Sequence, residues 1–219
     1  MPNPESFDPT FKTYRMKKTL IVFIALCGWF AIAAQYFLML ENKVTSLGEM
    51  TIRFFSFFTI LTNLLVAIYF SSLAFSVGFL EKKGIGTAAT IYIFIVGLVY
   101  QIVLRKTWQP EGLQLIVNEM LHSVIPVLAL VFWISFDSKK AEYKQILGWS
   151  VYPLVYLFFI LYRGSFSNFY PYPFVDVSSI GLMDTLENSL LILLLFFLVS
   201  FLFVFAGKRL ASIRTMKAK

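Results

Sequence analysis

Six apolar stretches of about 20 residues each divide this chain, and the links between them are too short to build a separate domain. A hydrocarbon core of about 30 Å is crossed by roughly 20 apolar residues in a helix, and within it a chain must satisfy its own backbone polar groups. The stretches run over about 19–40, 54–80, 87–104, 115–136, 146–163 and 182–207. Breakers separate several of them: Lys83-Gly84, Gln109-Pro110-Glu111-Gly112 and Tyr170-Pro171-Tyr172-Pro173. The expected fold is therefore all-α, one six-helix membrane bundle over residues 1–219, without a visible repeat between its halves. The second and sixth stretches are long enough to tilt or to run past the interface. Arg15, Lys17 and Lys18 before the first run, with Ala31-Ile32-Ala33 late in it, mimic a cleaved leader. The run is longer than a leader's apolar region and the charged segment before it is long, so it reads as the first span.

Composition agrees with this reading. Charged residues make up 14% of the chain, against about a quarter in soluble domains, which excludes an ordinary water-soluble enzyme. With 25 Phe and 11 Tyr the chain carries too much apolar surface to stay disordered. The single Cys27 excludes an internal disulfide framework and a cysteine metal cage. With one histidine as well, a zinc site would need mostly carboxylate ligands, which zinc disfavours, so no cofactor is expected.

The net charge of +7 is unevenly placed. One side of the expected topology holds Lys12, Arg15, Lys17, Lys18, Lys82, Lys83, Lys139, Lys140 and Lys144, and the tail residues Lys208, Arg209, Arg214, Lys217 and Lys219. The other holds Lys43, Arg53, Arg105, Lys106 and Arg163. The positive-inside rule then puts both termini in the cytoplasm. The excess needs no nucleic-acid partner; the basic tail suits anionic lipid headgroups.

Polar side chains are costly in lipid, so their depth is informative. At 1.5 Å per residue, Thr59 lies about 8 Å below the outer end of the second span and His122 about 10 Å below that of the fourth. Gln35, Gln101, Glu187 and Arg163 fall in the same outer layer, and Asp184 sits one turn above Glu187. A polar pocket facing the outer leaflet or outer water is expected there. Ser56, Thr59, Thr62 and Asn63 share one helical face, as do Glu119 and His122. Pro126 can bend the fourth span and free a carbonyl beside the pocket.

The only histidine, His122, is either a buried interhelical bond or a general base, since a desolvated imidazole stays neutral and accepts a proton. Thr59 either bonds its own helix or serves as a nucleophile beside that base, with Thr62 one turn deeper as competitor. Glu119, Asp184 and Glu187 can orient His122, or they pair with Arg105 or Arg163. Asn63, Gln35 and Gln101 can donate to an oxyanion or join helices. The segment Tyr170–Phe174 reads as an interfacial anchor or a pocket lid.

Gly28-Trp29-Phe30-Ala31, Gln35-Tyr36 and the run Arg53 to Leu64 resemble the bacterial Pr6Pr membrane-protein family, as do Leu121 to Pro126 and Tyr152-Pro153 through Tyr162-Arg163-Gly164 to Tyr170-Pro171-Tyr172-Pro173-Phe174. More distantly, the chain is similar to the animal androgen-induced and androgen-dependent transmembrane proteins. Those are threonine hydrolases of fatty acid esters of hydroxy fatty acids. Their Leu-Thr-Phe-Ile motif matches Phe58-Thr59-Ile60-Leu61, and their histidine before Val-Leu-Pro matches His122, with one residue fewer before Pro126. Their acid three residues after the threonine is Thr62 here, and the polar pair before their histidine is Asn118-Glu119. The resemblance implies a hydrolase of lipid-like esters in a bacterial inner membrane, with Thr59 as nucleophile and His122 as base. Thr62, Asn63, Gln35, Gln101, Asn118, Glu119 and Glu187 are the candidate supporting residues. A lipid carrier without chemistry is the alternative, although carriers usually bind at the midplane between inverted repeats.

Overall fold

Long apolar runs without an interior breaker propagate as helices in lipid, and the computed structural model, which describes residues 9–78, 82–138 and 141–217, consists of such helices. Phe79 and Leu80 of the expected second span, and Lys139, Lys140 and Lys219 of the basic set, lie outside the described residues, as do the side chains of Arg214 and Lys217. In chain order the elements are α1 (Pro9–Asn42), α2 (Leu47–Phe54), α3 (Phe58–Ala74) and α4 (Ile85–Val99), then α5 (Gly112–Glu119), α6 (Ile125–Phe132), α7 (Ile146–Ser167) and α8 (Val177–Lys217). Wider π turns extend α4 over Tyr100–Leu104 and join α5 to α6 over Met120–Val124. Five helical segments are long and apolar enough to cross a membrane, and α2 with α3 passes as a bent sixth. The chain is an all-α, multi-pass integral membrane protein. Its outer surface fits that solvent: Phe158 and Tyr162 are each 74% exposed and Leu147 72%, a pattern that water would penalise.

The second span differs from the straight helix expected over 54–80. α2 and α3 meet at 71°. No proline or glycine causes the break; Phe55 and Ser56 form a turn, and Ser56 turns its hydroxyl onto the Ile52 carbonyl at 2.7 Å. The Tyr156 hydroxyl donates to the Ser56 carbonyl at 2.8 Å, supplying from α7 the donor that a continuing helix would have given. Ser56 thus lies outside the face that Thr59, Thr62 and Asn63 share. The sixth span is also longer than 182–207: α8 starts at Val177, changes direction at Gly181 (φ +82°), and runs on past the apolar stretch.

Two cores hold the bundle. The first joins α1, α3 and α6 around Ile24, Val66, Phe70 and Ile125. Gly28 lets α1 approach α3 closely, since a Cβ there would stand 2.9 Å from that of Ala67. The second joins α4, α7 and α8 around Ile91, Trp149, Phe196 and Val204. α4 contributes to both and, with its π extension, is the most enclosed of the five continuous spans. Two prolines shape the surfaces it meets. Pro153 cannot donate to the Trp149 carbonyl four residues back, and the Tyr92 hydroxyl bonds that carbonyl at 2.7 Å. Pro126 likewise cannot donate to the His122 carbonyl four residues back, and that carbonyl faces Gly97, where a Cβ would lie 2.9 Å away.

Candidate functional site

Between the two cores lies a cavity of about 290 Å³, bordered by α3, α4, the Met120–Val124 turn, α7, α8 and the Pro173–Val175 turn. Its walls are largely apolar: Ile95, Val96, Leu154, Leu157 and Leu193 are typical. Leu186 and Leu190 line it while remaining 44% and 55% exposed, so the wall made by α8 gives onto the lipid side.

Three polar side chains meet in this apolar space. Thr59 is the second residue of α3 and is 7% exposed. Its Oγ1 lies 3.4 Å from His122 Nε2 and 3.2 Å from the Tyr172 hydroxyl. Its backbone N–H, which has no partner within α3 so close to the helix start, donates to the Tyr172 hydroxyl at 3.1 Å. His122 Nδ1 is 2.9 Å from the Asn118 carbonyl. A carbonyl only accepts, so the proton sits on Nδ1, and the neutral ring presents the Nε2 lone pair to Thr59. The ring stacks on Tyr100 with centroids 4.3 Å apart. The Tyr100 hydroxyl in turn accepts from Asn118 Nδ2 at 2.6 Å, so Asn118 fixes both the edge and the face of the imidazole.

The remaining candidates from the sequence take other partners. Thr62 is fully buried, but its hydroxyl lies 3.1 Å from that of Tyr152, not against His122. Asn63 donates to the Thr59 carbonyl at 2.9 Å and the Leu121 carbonyl at 3.3 Å, which ties α3 to the π turn and uses both amide hydrogens. Gln35 accepts from Gln114 at 2.8 Å and joins α1 to α5. Gln101 donates to Ser123 at 2.8 Å and accepts from Arg105. Glu119 does not orient His122; it pairs with Arg105 at 2.9 Å and accepts from Ser123 at 2.6 Å. Asp184 and Glu187 are exposed on α8. Arg163, which is 5% exposed, pairs with Glu49 at 2.7 Å instead of with Asp184. Among the described residues, no three His, Cys, Asp or Glu side chains gather in a metal-binding group.

Tyr172 is the site residue that sequence reasoning missed, having placed it in an anchor or lid. Pro171 and Pro173 on either side favour an extended backbone, and Tyr172 is extended at φ −137°. Its ring stacks on Phe174 at 5.2 Å and meets the edge of Phe57 at 5.8 Å. The segment is closed on its far side by Asp176, whose carboxylate accepts from the Ser178 and Ser179 amides and hydroxyls; those bonds hold its carboxyl below the usual range. The signal available in the sequence was a tyrosine locked between two prolines.

Comparison of the chain with protein-family models, with curated proteins and with solved structures returns no match. The arrangement itself pairs an alcohol with a tautomer-fixed base in a largely apolar cavity, the elements of nucleophilic acyl transfer.

Proposed function

We propose that the chain is a membrane-embedded hydrolase of lipid-like esters, acting through Thr59 and His122. The observation that carries the reading is the 3.4 Å approach of Thr59 Oγ1 to an Nε2 whose lone pair is kept available by the Nδ1 bond to Asn118. The separation is longer than a settled hydrogen bond, as catalytic pairs often are before a substrate tightens them.

Thr59 gives its proton to His122 Nε2 and attacks the ester carbonyl carbon, forming a tetrahedral oxyanion. Collapse breaks the ester C–O bond, and His122 passes its proton to the leaving alkoxide, leaving an acyl-Thr59. Water then gives a proton to His122 and attacks the acyl carbon. The second collapse releases the carboxylic acid, with His122 returning the proton to Thr59. The apolar walls and the lipid-facing wall at Leu186 and Leu190 suit an acyl chain that arrives sideways from the bilayer. The resemblance to the Pr6Pr family and to the threonine hydrolases of hydroxy fatty acid esters belongs to the same proposal. So do residence in a bacterial inner membrane and cytoplasmic termini.

The test is acyl-ester release by the purified protein and by Thr59→Ala, Thr62→Ala and His122→Ala. Turnover lost in the first and third and kept in the second supports the reading; turnover unchanged in Thr59→Ala ends it. The largely apolar lining also favours a second reading, a lipid carrier without chemistry, for which saturable binding of a fatty ester with no release of acid is the outcome.

A further inference from the structure

We propose that Tyr172 is a further catalytic residue, whose hydroxyl together with the Thr59 amide holds the oxyanion formed on the ester carbonyl. The inference rests on the hydrolase reading and names a group that reading does not require.

Hydrogen-bond directions around Thr59 follow from the donors present. His122 Nε2 is an acceptor, so the Thr59 hydroxyl proton points to it. The oxygen of that hydroxyl is then an acceptor for the Tyr172 proton at 3.2 Å. The Tyr172 oxygen accepts the Thr59 N–H at 3.1 Å. The Tyr156 proton goes to the Ser56 carbonyl. The Tyr156 oxygen and the Phe58 backbone also lie within hydrogen-bonding reach of the Tyr172 hydroxyl, so Tyr156 can only accept from Tyr172, as Thr59 Oγ1 does. Two donors, one from a side chain and one from the backbone, therefore converge beside the atom that would attack.

When Oγ1 bonds the carbonyl carbon, the electron pair of the C=O bond moves to the carbonyl oxygen. That oxygen is attached to the same carbon as Oγ1, so it forms within reach of both donors. The Tyr172 proton turns from Oγ1 to the new oxyanion, and the Thr59 amide exchanges the phenol oxygen for the stronger, charged acceptor. Collapse returns both bonds to their resting partners, and no proton leaves Tyr172. Such donors act strongly where water is excluded, and loss of one typically lowers kcat by about 10²–10³-fold.

The experiment uses the 219-residue chain in lipid nanodiscs with p-nitrophenyl decanoate. Inhibition is measured with a decyl trifluoromethyl ketone, which forms an oxyanion with the nucleophile, and with the matching ether, which forms none. Tyr172→Phe keeps the ring contacts and removes the hydroxyl. The expected result is kcat lower by about 10²-fold with KM unchanged, weaker inhibition by the ketone, and unaltered binding of the ether. A kcat within about threefold of wild type overturns the proposal, as does equal weakening of both inhibitors, which marks a positioning role. Should Tyr172→Phe fail to fold, 3,5-difluorotyrosine at 172 keeps the hydroxyl and makes it more acidic; the alkaline limb of the kcat profile should then move to lower pH, and an unmoved limb overturns the proposal. Active wild type with inactive Thr59→Ala but indifferent Tyr172→Phe defeats this inference alone. Wild type without turnover, or an active Thr59→Ala, defeats the hydrolase reading and this inference with it.

Discussion

His122 Nδ1 lies 2.9 Å from the carbonyl oxygen of Asn118, one turn earlier in the same membrane span. A backbone acceptor thus does what a carboxylate does in many catalytic triads, holding the ring in one tautomer without adding a charge. In protein labelled with ¹⁵N-histidine, the single ring should show a protonated Nδ1 and an unprotonated Nε2 near neutral pH. The reverse assignment would leave Thr59 facing an N–H and remove the base.

Thr62→Val should separate the two threonines. The substitution deletes the bond to Tyr152, which is expected to cost about 1 kcal/mol in unfolding. Ester turnover should persist, because the Thr62 hydroxyl is engaged away from His122. Loss of turnover in a protein with near-normal unfolding would show that the Tyr152 bond supports the reacting geometry.

Gly97→Ala tests how the imidazole is placed. The added methyl would stand 2.9 Å from the His122 carbonyl and 3.2 Å from Pro126, closer than packed groups tolerate. We expect about 1–3 kcal/mol of destabilisation from overpacking. Turnover should fall at least about tenfold as the π turn shifts away from Thr59, since small misplacements are costly at reacting centres. Thermal unfolding and kcat measured on the same preparation check both.

Leu190→Trp addresses the lipid-facing wall. Leu190 lines the cavity and is 55% exposed, so an indole there should narrow the cavity on its lipid-facing side. Decanoyl and longer esters should lose more turnover than butanoyl esters, whereas equal losses would place the route to Thr59 elsewhere.

A pH-dependent contribution to stability is expected outside the membrane. Glu142 bonds Lys83 and pairs with Lys144 at 3.0 Å, and the two ammonium groups bring its carboxyl down to about 2. Because the folded value lies below the ordinary 4.5, the unfolded chain takes up the proton first as pH falls. The contribution is complete above about 4.5 and is lost as pH drops toward about 2. The melting temperature of wild type should fall across that window more than that of Glu142→Gln, and added salt should shrink the difference because the pair is exposed.

The spans were legible because long apolar runs have few alternatives in lipid. The break after Phe54 was not, since Phe55-Ser56-Phe57 carries no proline or glycine and the bend is secured by Tyr156, a hundred residues away. Depth arithmetic set Thr59 and His122 at similar levels, yet it could not choose between Thr59 and Thr62, which share a face of α3 but meet His122 and Tyr152 respectively. The ion pairs were legible only in part: Arg105 meets Glu119, a pairing that a short link favours, whereas Arg163 meets Glu49, 114 residues earlier. Tyrosines were hardest to read. In a chain with 11 of them, residues suited to the interface by composition look the same as Tyr172, Tyr152 and Tyr100, which point inward to hydroxyl and amide partners.

The bend between α2 and α3 has a consequence for how this protein can fail. In a straight second span the amide of Thr59 would be consumed by the carbonyl of Phe55, one turn back. The corner interrupts that ladder and leaves one residue with an alcohol and an amide released from the helix, both turned toward the same hollow, where the amide meets Tyr172. A substitution that merely lets residues 55–57 coil smoothly would close this off with threonine, histidine and tyrosine all intact, so the loss of this arrangement cannot be read from those three side chains alone.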